Sequence, residues 1–328
     1  MIKLQTKFDR VFILIAFLLS LHFTIAYNTM TAVMVGFVTS LESNYKSISF
    51  YRMLPTLIWD LCHFSIAPLH KHFPVLNPPF ASDQSWFMVL LTFFFMFGTI
   101  LVGRELIRTV SPRPELQYLA LGLGYAAYFD YILVLNRSLF YPYDIAALFF
   151  FTLLVYLAWQ GRALALAIVL PFAILNKETS ALSILIFFCF QWGRIPLGRL
   201  LTFCGGMSIL VIAIRLSQKA YLEAHCPGCS EMSQNQFTYN LHQFANPLFW
   251  ISIVSVYGFG YIPVILFWGR IPLRVRRTSL LIFSIWFVGM MRVGILREIR
   301  IYSELSSLIL LMIVLALAKG QRESAFAL

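Results

Sequence analysis

The chain has 328 residues, 60% hydrophobic and only 12% charged, with a mean hydropathy of +0.79. Soluble domains carry about a quarter charged residues, so this composition excludes a soluble globular fold and implies a polytopic membrane protein. The net charge of +11 is spread over the connections between apolar stretches. No basic run with interleaved aromatics stands apart from them, which argues against a nucleic-acid partner.

Apolar stretches of spanning character fall near 11–27, 85–103, 117–135, 143–159, 163–176, 179–192, 200–216, 247–268, 279–296 and 303–318. They predict an all-α bundle of about ten spans, forming a single integral membrane domain over 1–328. The first stretch follows Lys3, Lys7 and Arg10. It is long enough to span and has no clear small-residue cleavage site, so it reads as a retained helix rather than a signal peptide.

A long outer loop, about 28–84, comes next and carries Glu42, Arg52 and Asp60. It is too aromatic and apolar for disorder. Its segment Thr56 to Leu69 has a polar stripe with Asp60 and His63, which fits an amphipathic helix on the membrane surface. Asp130, near the outer end of its span, is expected either to pair with an arginine or to contact substrate.

The turn before the fourth stretch reads Asn136-Arg137, then Tyr141-Pro142-Tyr143-Asp144. Proline suits a helix start and Asp144 suits the positive end of the helix dipole. The turn is either a cap with an interfacial tyrosine belt or an arginine beside a carboxylate, suited to a phosphate or sugar. Between 163 and 192 two short apolar segments flank a polar knot, Asn176-Lys177-Glu178-Thr179. A Lys and a Glu there need water, a partner or a substrate, because burying either alone costs several kcal/mol. Segments of about fourteen residues reach only ~21 Å against a ~30 Å hydrocarbon core, so they are tilted spans or a re-entrant hairpin.

A second large outer loop, about 217–246, holds Cys226-Pro227-Gly228-Cys229. This pair forms a local disulfide, or half of a zinc site completed by His225 and His242. Cys189 and Cys204 lie in apolar spans and read as packing residues. Before the last span, Arg297, Arg300 and Glu304 share one face if helical, with Arg300 and Glu304 a turn apart. That segment is either a self-paired ion cluster or a guanidinium pair gripping a phosphate, with Arg292 deeper in the apolar sequence adding to the second reading. Basic density places both termini in the cytoplasm, whereas Asp130, Asp144, Glu178, Glu298 and Glu304 fall outward, as an outward-facing polar site would require.

Taken together, Tyr51-Arg52-Met53-Leu54-Pro55, the Asn136, Arg137, Tyr141, Pro142, Asp144 turn, the Asn176 to Thr179 knot and the Glu298, Arg300 segment resemble a known kind of enzyme. They are similar to bacterial polytopic glycosyltransferases of the GT-C type, over most of the chain. The resemblance implies inverting transfer of a sugar from a polyprenyl-phosphate-linked donor to an acceptor on the outer face of the inner membrane, in cell-envelope polysaccharide biosynthesis. It implies Glu42 or Asp60 as the base. Arg52, Asn136, Arg137, Tyr141, Asp144, Asn176, Lys177, Glu178, Arg297, Arg300 and Glu304 would bind the substrate. A divalent metal (Mg or Mn) beside the leaving phosphate stays open. Many such enzymes pair two acids in the first loop, whereas Glu42 and Asp60 stand apart. Many also append a soluble C-terminal domain, and none follows the last stretch here, which leaves the acceptor open.

Two other readings use the same surface: a polymerase or ligase of lipid-linked polysaccharide, and a transporter or flippase. The latter is expected to carry matching broken helices in two repeats, and the sequence displays one broken pair only. A structural subunit would leave the motifs scattered. The enzyme reading predicts that Glu178, Asp144, Arg137, Arg300 and a first-loop carboxylate line one outward cavity.

Overall fold

In lipid, a chain must satisfy its backbone N–H and C=O groups within each segment, and helices are how this chain does so. A computed structural model describes residues 7–30, 53–55, 57–59, 61–62, 83–133, 141, 143–225 and 236–318. Among the described residues the regular structure is all helical, and the one extended contact is an isolated bridge between Trp192 and Ile195.

The long helices are α1 (Lys7–Met30), α2 (Asp83–Val110), α7 (Leu197–His225) and α11 (Leu273–Val293). Shorter ones are α3 (Leu121–Ala127), α4 (Asp144–Gln160), α5 (Ala163–Asn176), α6 (Leu182–Gln191), α8 (Phe237–Gln243), α9 (Pro247–Ser255), α10 (Tyr261–Leu266) and α12 (Ser306–Leu317). Four helical stretches, Phe8–Met30, Trp86–Val110, Leu197–Tyr221 and Ile299–Leu317, are long and apolar enough to cross a membrane. The chain is therefore an integral membrane protein.

Helix α4 sits at the centre. It is apolar all round, and Ala146, Leu148, Phe151, Leu154, Val155 and Ala158 are buried against α2, α5, α6, α12 and the 3-10 segment Ile299–Leu305. Helix α7 lies at the margin, with Leu201, Ile209 and Leu216 facing outward. Pro171 is carried inside α5 without ending it, although the sequence alone predicts a weakened helix there. At one end, Arg104 ties three elements together by pairing with Asp9 of α1 and donating to Gln117 of the 3-10 turn Pro114–Ala120 at 2.8 Å.

Two predicted spans are not regular helices. The stretch 117–135 runs through that 3-10 turn, α3 and a π-helical turn, Tyr128–Ile132. The stretch 247–268 is broken by a 3-10 turn, Val256–Phe259, in which Tyr257 (φ 59°), Gly258 (φ 56°) and Phe259 (φ 64°) are all left-handed. Asp130 explains how the break is held. It is fully buried on the π-helical turn and its Oδ1 accepts from the Tyr257 backbone N–H at 2.9 Å. Its carboxylate thus caps main chain, a role that neither expectation for Asp130 included.

Asn240 of α8 performs a similar task for α11. Its Nδ2 donates to the carbonyls of Met290, Met291 and Gly294 at 3.3, 3.0 and 2.7 Å, and its Oδ1 accepts from Leu296 N at 3.0 Å. These bonds satisfy the last carbonyls of α11 from outside the helix. Asn240→Ala is expected to cost about 2–3 kcal/mol, because buried carbonyls lose their donor. Chemical unfolding in mixed micelles measures it, and an unchanged midpoint would refute the cap.

Most of the first outer loop lies outside the described residues, as do Cys226 and Cys229. Within the predicted surface helix, residues 57–59 and 61–62 are helical, and so are 54–55 just before it. Trp59 packs edge-on against Phe87 at 5.2 Å, while Leu61 is exposed.

Candidate functional site

The site grows from helix ends. Asp144 opens α4, Lys177 follows the last residue of α5, and Arg300 and Glu304 lie on the 3-10 segment Ile299–Leu305 before α12. Because α4 packs against both α5 and that segment, the charges meet in one place. Arg300 Nη1 donates to Asp144 Oδ2 at 2.6 Å and Nη2 donates to Glu298 Oε2 at 2.6 Å. The Lys177 ammonium is paired with Glu304 and lies 3.8 Å from Asp144 Oδ1. The Thr179 hydroxyl also donates to Glu304.

The surround is aromatic and polar. Tyr141 presents its ring to the Arg300 guanidinium at 3.7 Å, a cation–π contact, and Tyr143 lies beside it at 5.3 Å. Tyr131 donates to the Asp144 carbonyl at 3.3 Å and pairs with the Ser303 hydroxyl. Asn176 is fully buried, and its Nδ2 donates to the Tyr143 carbonyl at 3.0 Å, joining the end of α5 to the start of α4.

Of the residues expected to line one cavity, Asp144 and Arg300 meet here and are joined by Lys177 and Glu304, while Glu178 lines a neighbouring cavity. The contact expected between Arg300 and Glu304 is not made. The segment is 3-10 rather than α, so side chains four apart diverge, and each meets a residue from another helix. Arg292 is also reassigned. It is exposed in the last turn of α11, where a cation suits the negative end of the dipole. Arg297 is half-buried ahead of the 3-10 segment. Glu42, Arg52, Asp60, Asn136 and Arg137 lie outside the described residues.

Charge accounting sets the chemistry. Lys177 and Arg300 supply two positive charges against three negative ones from Asp144, Glu298 and Glu304, a net charge of −1. Lys177, Asp144 and Glu304 are at most 5% exposed, so each is viable only as a member of the network. An incoming anion must displace a carboxylate. Glu298, with its side chain 31% exposed, is the partner of Arg300 that water already reaches.

Glu178 faces elsewhere in the same neighbourhood. With Thr179 it lines a cavity of about 610 Å³ between α6, α7 and α11. Apolar side chains form most of the wall, among them Leu185, Phe188, Val211, Ile212, Ile285 and Val293. Thr179 belongs to both regions, lining the cavity and bonding Glu304 of the network. Among the described residues no three His, Cys, Asp or Glu side chains assemble a metal site.

Sequence reasoning missed Tyr131, Ser303 and the bond from the Thr179 hydroxyl to Glu304. Thr179 stood inside the knot, and its spacing from the buried Lys177 was the available signal. No protein family matches the chain, and neither does any characterised protein or solved structure.

Proposed function

We propose that the chain is a membrane glycosyltransferase that moves a sugar from a polyprenyl-phosphate-linked donor to an acceptor on the outer face. The observation that carries this reading is the apolar cavity ending at Glu178 and Thr179, next to a network containing Lys177 and Arg300. An amphiphile with an apolar chain and an anionic head matches that sequence of surfaces. In this reading about ten segments cross a bacterial inner membrane with both termini inside, and 163–192 brings the knot to the outward side.

Chemically, a first-loop carboxylate, Glu42 or Asp60, takes the acceptor hydroxyl proton as its oxygen attacks the anomeric carbon. The bond from that carbon to the phosphate oxygen breaks, and its electron pair leaves on the phosphate. Arg300 then meets the charge developing on the leaving group, the interaction that accelerates such transfers most. A lipid-linked polymerase or ligase would use the same half of the reaction with a larger acceptor.

The test is transfer of radiolabelled sugar from polyprenyl-phosphate donors in membranes holding the native chain or Glu42→Gln, Asp60→Asn and Glu178→Gln. Transfer that disappears in one folded first-loop variant supports the reading, and absence of transfer from every donor removes it. Glu298→Gln gives a second check. With that competitor for Arg300 removed, donor affinity is expected to rise about three- to fivefold, the range of a partly exposed ion pair. Weaker donor binding would place the phosphate elsewhere.

One observation favours the transporter reading instead. The break at Tyr257 to Phe259, facing Asp130, is a second discontinuity beside the knot, and paired broken helices are a mark of transporters. That reading predicts bound lipid-linked sugar recovered without transfer to any acceptor.

A further inference from the structure

At the end of the bundle opposite the ion network, four chain segments meet around the turn 191–196. Gln191 Nε2 donates to Ala158 O at 2.7 Å, tying this turn to the end of α4. Arg274 Nη1 reaches Phe190 O at 3.5 Å, tying it to the start of α11. Helix α7 starts directly after it. These contacts gather Arg162, Arg194, Arg199, Arg270, Arg274, Arg276 and Arg277 at one rim. The stretches 156–175, 190–202 and 266–280 contain no Asp, Glu or Lys. Among the described residues no ion pair engages Arg162, Arg199, Arg270, Arg274, Arg276 or Arg277.

Aromatic rings share the rim. Arg162 lies 5.9 Å from the Tyr156 ring, Arg194 6.0 Å from Trp159 and Arg270 4.8 Å from Phe267, while Trp192 is half exposed. Trp and Tyr collect at the headgroup level of a bilayer, so this rim lies at a membrane interface. Helix α4 runs from Asp144 to Gln160, about 25 Å at 1.5 Å per residue, which sets the rim a bilayer-like distance from the network.

Topology alone accounts for positive charge here, but the insertion rule reads Lys and Arg alike. A rim that uses only arginine, with no acid beside it, calls for a ligand that rewards the planar fork. Phosphate does, by accepting two parallel N–H bonds. We propose that this rim is a binding surface for anionic phospholipid headgroups in the leaflet opposite the ion network. The occupant follows from charge complementarity at the interfacial level and is independent of the catalytic reading.

The test is lipid selectivity of the full chain in phosphatidylcholine vesicles, comparing spin-labelled phosphatidylglycerol with spin-labelled phosphatidylcholine at the protein surface. The native protein is expected to prefer phosphatidylglycerol about fivefold, and Arg274→Gln/Arg276→Gln/Arg277→Gln to reduce this below about twofold. The corresponding triple Lys variant is expected to fall between them, since it keeps charge and loses the fork. Should the Gln triple fail to fold, Arg162→Gln/Arg199→Gln tests the other side of the turn. No native preference, or one that the Gln variants retain, overturns the surface. A Lys variant equal to native overturns recognition by the fork.

Discussion

Lys177→Met is expected to destabilise the protein by about 3–5 kcal/mol, the cost of removing one partner from a buried ion network. The reason is the charge left behind. With Lys177 gone, Arg300 alone faces Asp144, Glu298 and Glu304, of which Asp144 and Glu304 are 1% exposed. Glu304→Met should cost less, because Lys177 keeps Asp144 within 3.8 Å and two cations then balance two carboxylates. The double variant Lys177→Met/Glu304→Met should be more stable than Lys177→Met alone, since the orphaned carboxylate leaves with its cation. A double-mutant cycle by unfolding in mixed micelles isolates this coupling, and its expected size is on the order of 2 kcal/mol or more. Additive single effects would mean that Lys177 and Glu304 do not depend on each other.

This network also shows which parts of the site were legible in sequence. Lys177 between two apolar segments had to find a partner, and most of the acids lay on its side of the membrane, so the need for a carboxylate was legible. Who pairs with whom was not legible. Arg300 and Glu304 look like helical neighbours, yet the turn is 3-10, and partners 156 residues apart take precedence. The apolar stretches were legible as segments because hydrophobic length is local. The irregularity inside 117–135 and 247–268 was not, because it depends on long-range caps. Asp130 bonds a backbone amide 127 residues away. Asn240, in what reads as a polar loop, is fully buried and closes α11 across about fifty residues. A sequence pattern reports what a residue avoids, namely lipid for Asp130 and Asn240, but not which main-chain group relieves it.

Gly258→Ala is the second substitution with a large expected effect, about 2–4 kcal/mol, from backbone strain and overpacking together. Gly258 has φ +56°, where an L side chain is strained, and an added Cβ would stand 2.5 Å from Tyr125 Cε1 and 2.7 Å from Phe129 Cδ2. Those two rings pack on each other at 4.9 Å and Phe129 meets Phe259 at 6.0 Å, so the half-exposed Tyr125 ring can yield outward while Phe129 is held between two neighbours. The turn holds three consecutive left-handed residues, two of them aromatic, and such a conformation persists only when its surroundings impose it. Asp130 supplies that imposition. Asp130→Ala should therefore destabilise by about 1–3 kcal/mol through an unpaired Tyr257 amide, while Asp130→Asn, which keeps an acceptor, should cost less. The turn packs on the segment Ile299–Leu305 that carries Arg300 and Glu304. Loosening it should weaken donor binding as well as stability, and the order Asn before Ala should hold for both. If Asp130→Ala proves as stable as native while function alone is lost, the carboxylate acts on a ligand and the broken helix belongs to the transport reading.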